Sequence, residues 1–316
     1  MYYIIVNPAS RSGRGKKYWN RLEPYLKSTA VPYTVFFSSY SGQIREIMHT
    51  LTKDLTDASS PIHVIILGGD GSINEALQGV KSFDKLLLSY IPTGSSNDFA
   101  RDLGISKDPV VAMKRLLEQP TRRQLDIGCV EYRDCRFENA AMQKRYFAVS
   151  CGLGYDAAVC AEVMQSKMKD LFNRFKLGKL TYLFIALKQL YNTKAVSGEL
   201  SLEGCDTTVI NRLLFLCGMI HRFEGGGFMF APDADDHDGI LDLCSVSNVS
   251  KLKVLRVLPT AFKGKHFRFP EVSDYHVSSY TLTMNSPMWL HTDGEILAMT
   301  DSVKVTCLKE VLHIMY

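Results

Sequence analysis

The feature that most constrains this chain is an unbroken apolar run, residues 63–67, ending in Gly68-Gly69-Asp70-Gly71-Ser72. A strand apolar on both faces belongs in a parallel sheet covered by helices on both sides. The three glycines let the chain turn sharply and bring its backbone close to a ligand without a Cβ in the way. Glu75 stands three residues after Ser72, a capping-box pattern that predicts a helix starting at Ser72. The free N–H groups and positive dipole end of such a helix suit a phosphate. Asp70 cannot take a phosphate directly, but its carboxylate suits Mg²⁺ or nucleotide hydroxyls. Taken alone, the same run fits a plain strand-to-helix turn about equally well.

Strand and helix signals alternate around this loop. Residues 2–6 form a short apolar run stopped by Asn7-Pro8, and residues 34–37 and 86–91 form further strands. Ile44, Ile47, Met48 and Leu51 fall at i, i+3, i+4 and i+7, one face of a helix. The expectation is a doubly wound α/β domain over residues 1–124. Beyond it the pattern changes. Residues 145–151, 199–202, 209–217, 240–246, 280–284, 288–292 and 303–308 read as strands, interrupted by helical patterns at 180–191 and 250–262. They predict a β-rich, sandwich-like second domain over residues 125–302. The C-terminal residues, 303–316, are placed to return to the first domain. Residues 131–144 are polar and aperiodic, a hairpin loop or local insertion.

Apolar residues at 46% against 22% charged support a folded core. The net charge of +4 lacks the concentrated basic stripe of a nucleic-acid binder, so no nucleic-acid partner is expected. It suits anionic nucleotides or an anionic membrane surface. Eight cysteines, none in a C-x-x-C pair, read as reduced, buried thiols of a cytoplasmic protein. The longest apolar runs, such as residues 213–220, fall far short of the ~20 residues that span a bilayer. The N-terminus lacks a basic n-region and reads as a strand, so membrane contact is expected to be peripheral.

Two more polar loops follow predicted strands. Pro92-Thr93-Gly94-Ser95-Ser96-Asn97-Asp98 has a flexible polar rim, and Asn97 or Asp98 can cap the next helix. Asn7-Pro8-Ala9-Ser10-Arg11-Ser12-Gly13-Arg14 carries basic residues able to face a triphosphate, although each alone reads as a solvated side chain. Loops at the carboxyl ends of parallel strands converge on the usual ligand crevice. Asp233-Ala234-Asp235-Asp236-His237-Asp238-Gly239 gathers carboxylates that repel unless a cation or solvent relieves them. Its spacing is not that of an EF-hand. Gly152-Leu153-Gly154-Tyr155-Asp156-Ala157 fits G-x-G-x-x-A without a convincing βαβ unit and reads as a tight turn. Lys167, Lys169, Arg174, Lys176 and Lys179 alternate with apolar residues, as in a helix resting on anionic lipid or one covering the core. Phe228, Met229 and Phe230 line an acyl pocket or, by default, fill the core.

The order N-P-x-S, G-G-D-G-S-x-N-E and P-x-G-S-x-N-D-F-A-R resembles the diacylglycerol kinase-like catalytic family, which includes bacterial lipid kinases and the sphingosine and ceramide kinases. The likeness continues through Leu125-Asp126-Ile127-Gly128, Gly225-Gly226-Gly227, Asp238-Gly239-Ile240 and Asp293-Gly294-Glu295, covering almost the whole chain. It implies an α/β plus β fold, with a phosphofructokinase/NAD kinase-like nucleotide domain followed by a β-sandwich-like lipid domain. It also implies ATP and Mg²⁺ as cofactors and transfer of the γ-phosphoryl group to a hydroxyl of a diacylglycerol-like or other lipid at a membrane surface. A homodimer is compatible with it. By matching positions, Glu295 is the general base and acts with Asp70. Asn7, Pro8, Ser10, Gly13, Arg14, Ser38, Gly68, Gly69, Asp70, Gly71, Ser72, Asn74, Glu75, Gly94, Ser95, Asn97, Asp98 and Asp126 surround the nucleotide. Asp235, Asp238 and the carbonyl of Ile240 hold a structural Mg²⁺, with His237 a bystander. Ser72 and Ser95 stand where the family commonly has threonine, which keeps the hydroxyl. The rivals are an NAD kinase-like enzyme, because NAD kinases share a G-D-G loop, and a non-catalytic nucleotide or lipid sensor. The P-x-G-S-x-N-D and D-G-E patterns favour the lipid group.

Overall fold

The computed structural model describes residues 1–56, 58–165 and 178–316, with side chains from 184 in the last stretch. The first half is a parallel sheet in the order β2 (Tyr33–Phe37), β1 (Tyr2–Val6), β3 (Ile62–Gly68), β4 (Leu86–Pro92). Val64 to Leu67 are all buried, as expected of a strand covered on both faces. One face carries α2 (Gly15–Ser28) and α6 (Pro109–Glu118), joined by Arg21 Nη2 on Asp108 Oδ2 at 2.8 Å. The other carries α3 (Gln43–Thr52) and α4 (Asp70–Leu77). A short turn α1 (Ser10–Gly13) and α5 (Asp98–Asp102) follow β1 and β4.

The second half is antiparallel. It contains β5 (Arg122–Tyr132), β6 (Gln143–Phe147), β7 (Ser150–Gly154), α7 (Tyr155–Gln165), α8 (Gly178–Asn192), β8 (Val196–Leu202), β9 (Thr208–Met219), β10 (Leu241–Ser247), α9 (Lys251–Ala261), β11 (Val272–Val277), β12 (Ser279–Thr292) and β13 (Glu295–Met315). Strands β9 and β12 each pair with β8 at one end and with β7 at the other, which folds the sheet back on itself. Its interior is filled by Leu153, Leu216, Leu243, Tyr280, Leu282 and Leu290.

β13 joins the halves. It pairs antiparallel with β12 and β5, then reaches β4 in parallel, with Ile314 opposite Leu88. Thr121 and Tyr316 exchange backbone hydrogen bonds at 2.7 and 3.0 Å. All the strands therefore lie in one connected sheet.

Several local expectations change. The Gly152–Ala157 motif is not a tight turn: residues 152–154 end β7, and α7 starts at Tyr155 directly behind Gly154, whose φ is +98°. Residues 131–132 and 143–144 are strand, so only 133–142 link the β5–β6 hairpin. β11, absent from the sequence reading, pairs β10 at the sheet edge. Lys167, Lys169, Arg174, Lys176 and the side chain of Lys179 lie outside the described residues. Phe228 is half-buried and Phe230 buried, packed with the core beneath α9. All eight cysteines are free thiols, and Cys205 is exposed. No helix among the described residues is long and apolar enough to cross a membrane.

Candidate active site

The loops after β1, β3 and β4 are stitched together by their backbones. Thr93 N–H donates to Gly68 O at 2.7 Å. A Cβ on Gly94 would lie 2.6 Å from Gly69 Cα, and one on Gly69 would lie 3.1 Å from Gly94 Cα. Only glycine at both positions allows that approach. Asn7 Nδ2 donates to Ser72 Oγ at 3.0 Å, and the hydroxyls of Ser10 and Thr93 bond at 2.8 Å. Gly13, at φ +82°, turns the first loop toward α2, with Pro8 half-buried and Arg14 exposed at its rim. Ser38 directly follows β2, its N–H on Val6 O at 2.9 Å, and Ser95 is exposed on the third loop.

The capping pattern resolves differently from the sequence reading. α4 begins at Asp70, with Gly69 as its N-cap and no side-chain cap. Glu75 turns away from its own helix and accepts Ile44 N–H at 2.8 Å, near the start of α3. Asn97 does not cap α5 either. At φ +52° it closes its own loop, accepting Gly94 N–H at 2.9 Å and Tyr90 O–H at 3.1 Å. The side chain that meets the N-terminus of α5 is Asp70, whose Oδ2 accepts Asp98 N–H at 3.1 Å.

Asp70 and Asp98 form an acidic pair at the crevice. Asp98 Oδ1 accepts Arg101 Nη1–H at 2.8 Å, and its Oδ2 accepts Gly226 N–H at 2.8 Å. Asp70 Oδ1 is buried and has no hydrogen-bond partner among the described residues. Burial, followed by the charge of Asp98, pushes Asp70 up to about 7. Burial raises Asp98 too, against the opposing pull of Gly226 N–H and Arg101. An orphaned carboxylate oxygen beside a second carboxylate fits a hard divalent cation.

The Asp293-Gly294-Glu295 turn closes the site from the other half. Asp293, at φ +50°, accepts four bonds: Val149 N–H (2.8 Å), Ser150 N–H (3.0 Å), Ala148 N–H (3.0 Å) and Asn74 Nδ2–H (2.8 Å). Asn74 also takes Arg145 Nη2–H on its Oδ1 at 2.6 Å. Asn74 is thus bound to the turn and to Arg145, joining α4 to the second half. Glu295 opens β13 half-buried, and a Cβ on Gly71 would lie 2.5 Å from Glu295 Oε1. The carboxylate therefore rests over the first turn of α4, which begins at Asp70.

Behind the turn lies a buried cluster that sequence reasoning missed. His291 Nδ1 accepts Gly294 N–H at 3.1 Å, while Nε2 faces Asp156 Oδ2 at 3.1 Å and Glu224 Oε1 at 3.2 Å. Cys217 Sγ donates to Glu224 Oε2 at 2.9 Å. Burial disfavours charge on His291, but Glu224 and then Asp156 outweigh it and raise the imidazole to about 9; the charged ring carries a proton on Nδ1 and gives up the bond from Gly294 N–H. The signal available was Asp156 two residues after Gly154; its partners lie far apart in the chain.

Two further predicted sites meet at the acidic loop. Asp126 is buried, accepting Gly239 N–H and Glu310 N–H, both at 2.6 Å. It ties the acidic loop to a bulge in β13, so both its oxygens are committed to backbone. In the acidic loop the donors that converge within 4.8 Å are Asp235, Asp236 and His237. Asp236 is held by Arg123, and Asp238 Oδ1 accepts the Ile240 N–H at 2.8 Å. His237 thus stands with Asp235 and Asp236, beside the expected trio of Asp235, Asp238 and the Ile240 carbonyl.

Known proteins share this layout. The family model for the diacylglycerol kinase catalytic domain matches residues 1–130, and the YegS C-terminal NAD kinase beta sandwich-like domain matches residues 149–316. A diacylglycerol kinase of Mycobacterium tuberculosis is 28% identical over 272 residues, covering 85% of this chain and 80% of its own length. YtlR of Bacillus subtilis is 26% identical over 299 residues, covering 95% and 94%. A diacylglycerol kinase crystal structure from Bacillus anthracis aligns with a TM-score of 0.69 at 16% identity, covering 100% of this chain and 96% of its own, a likeness of fold. With both halves matched in this order, the chain belongs to the family that joins a diacylglycerol kinase catalytic domain to a YegS-type C-terminal domain.

Proposed function

We propose that the protein is a lipid kinase that moves the γ-phosphoryl group of ATP to a hydroxyl of a diacylglycerol-like lipid, giving a phosphatidic-acid-like product. The observation that carries this reading is the approach of Glu295, from the second half of the chain, to Gly71 beside Asp70 at the first turn of α4. The backbone N–H groups of that turn face the transferred phosphoryl group, whose negative charge suits a helix N-terminus. Asp70 and Asp98 would hold Mg²⁺, which supplies charge neutralisation for the phosphates. Glu295 accepts the proton of the attacking lipid hydroxyl as the new O–P bond forms and ADP leaves. The packed glycines Gly69 and Gly94 leave room for the nucleotide's phosphates against bare backbone. The acceptor is reached by peripheral contact with a membrane.

The test is transfer of label from γ-labelled ATP into a total lipid extract, with mass spectrometry of the product. The wild-type chain labels a phosphatidic-acid-like lipid, and Glu295→Gln lowers the rate at least ~100-fold. Label entering NAD and no lipid would sink the proposal in favour of a soluble acceptor.

A further inference from the structure

α9 carries two apolar faces where a helix on a soluble surface needs one. Val254, Val257 and Ala261 are buried in the core. Leu252, Leu255, Pro259 and Phe262 form a second stripe at i, i+3, i+7 and i+10, directed outward. Leu252 is 78% exposed, Leu255 44% and Phe262 51%. α8 repeats the pattern: Phe184, Leu187 and Tyr191, at i, i+3 and i+7, are 57%, 45% and 79% exposed. The two helices meet where Lys251 Nζ sits 5.0 Å above the Tyr191 ring.

The charge around the stripe is one-sided. Residues 250–269 contain six Lys or Arg and no Asp or Glu. Lys251, Arg256 and Lys263 are exposed on α9 or just beyond it, beside the apolar stripe. A second copy docked symmetrically on this face would bring like charges together, whereas an anionic surface would be attracted. The stripe also leads toward the candidate active site. The ring of Phe262 stacks on Phe228 with centroids 4.0 Å apart, and Phe228 follows the glycine loop whose Gly226 N–H binds Asp98.

We propose that the outward stripes of α8 and α9 seat the protein on a bilayer containing anionic lipid. Leu252, Leu255 and Phe262 enter the interface, and the flanking cations lie at headgroup level. The role of this surface in delivering acceptor rests on the lipid kinase reading; the docking itself does not.

The test is flotation of the full chain with phosphatidylcholine vesicles, with and without about 30% phosphatidylglycerol, a fraction that gives a strong anionic surface potential. The wild type floats with anionic vesicles and is released as salt rises to about 0.5 M. Leu252→Ser combined with Leu255→Ser, outside the buried face of α9 and checked for an unchanged melting temperature, weakens flotation at least ~10-fold. Arg256→Glu with Lys263→Glu removes the preference for phosphatidylglycerol. Unchanged flotation of the serine variant overturns the proposal. So does failure of the wild type to float, or sedimentation showing that the serine variant splits an oligomer while flotation stays intact. Flotation needs no turnover, so the two readings fail separately. Loss of flotation in the serine variant, with no lipid labelled by the wild type, keeps the docking surface and removes the kinase; lipid labelling by the wild type with unchanged flotation of the serine variant does the reverse.

Discussion

Asp70 accepts the backbone N–H of Asp98 at 3.1 Å with one carboxylate oxygen and keeps the other buried, with no partner among the described residues. The first contact aligns α5; the second oxygen is what a cation would use. The raised position of Asp70, about 7 against an ordinary 3.8, has a definite sign for stability. The folded state binds this proton more tightly than the unfolded chain does, so ionisation costs folding free energy as pH climbs from about 4 to about 7. Asp70→Asn keeps an oxygen for Asp98 N–H and removes the charge. Above pH 7 it should melt at a higher temperature than wild type while losing phosphoryl transfer at least ~100-fold. Scanning calorimetry and label transfer check the two halves; a variant that loses both stability and activity would make Asp70 a structural residue. In the wild type, turnover should rise with pH through about 7, and excess Mg²⁺ should move that limb to lower pH.

Gly71 and Gly94 separate the two halves of the site in an experiment. In Gly71→Ala the new Cβ meets the flexible end of Glu295, so kcat falls more than ~10-fold while stability and nucleotide KM stay near wild type. In Gly94→Ala the Cβ meets Gly69 backbone, which cannot swing aside, so the loops part and nucleotide KM rises instead. Steady-state kinetics with ATP varied at saturating acceptor distinguishes them. Equal effects on both constants in both variants would contradict this division.

Asp126 is expected to matter for folding. Asp126→Ala leaves the Gly239 and Glu310 N–H groups without their acceptor, at a cost of about 3 kcal/mol or more. Urea unfolding reads that loss directly. Turnover per folded molecule should change by less than about threefold at 15 °C; a selective collapse of kcat would instead give Asp126 a role at the nucleotide.

His291 supports the turn that carries Glu295. Replacing it by Phe removes the donor shared by Asp156 and Glu224 and should destabilise by about 3–5 kcal/mol. Its folded value of about 9 lies above the ordinary 6.5. Its contribution is therefore complete below about pH 6.5 and lost as pH rises through 9. Asp70 works in the same direction at lower pH, so the melting temperature should peak in mild acid and decline toward pH 9. A flat profile in wild type, with the same flat profile in His291→Phe, would refute the assignment.

The glycine loops were legible because their demand is local: a backbone that must turn beside bare Cα atoms needs glycine whatever surrounds it. The parallel strands were legible because burial on both faces leaves continuous apolar runs. What escaped were partnerships across the chain. Glu75 looks like a cap for its own helix, yet its carboxylate goes to Ile44, and no periodicity encodes that choice. Asp126 and Asp98 both stand in motifs that carry the family resemblance, but one binds two backbone N–H groups of the acidic loop and β13 while the charge of the other bears on Asp70. Asn74 and Asp293 are 219 residues apart and meet at 2.8 Å. The length of β13 was hidden by a bulge, with Glu310 at φ +53°, that breaks its alternation.

That strand limits how the protein can move. β13 starts at Glu295 in one half and ends beside β4 in the other, paired with β12 over its first part and with β5 over its last part. It works as a tie rod. Lobes that swing apart on a hinge would have to bend it or break its pairing with β4, where Ile314 lies opposite Leu88, so the spacing between Glu295 and the Gly68–Ser72 loop is restrained by the fold. Entry and exit must then come from the rim, through residues 7–15, 93–97 and 222–227, and substrate exchange should involve small loop displacements instead of closure of one half on the other.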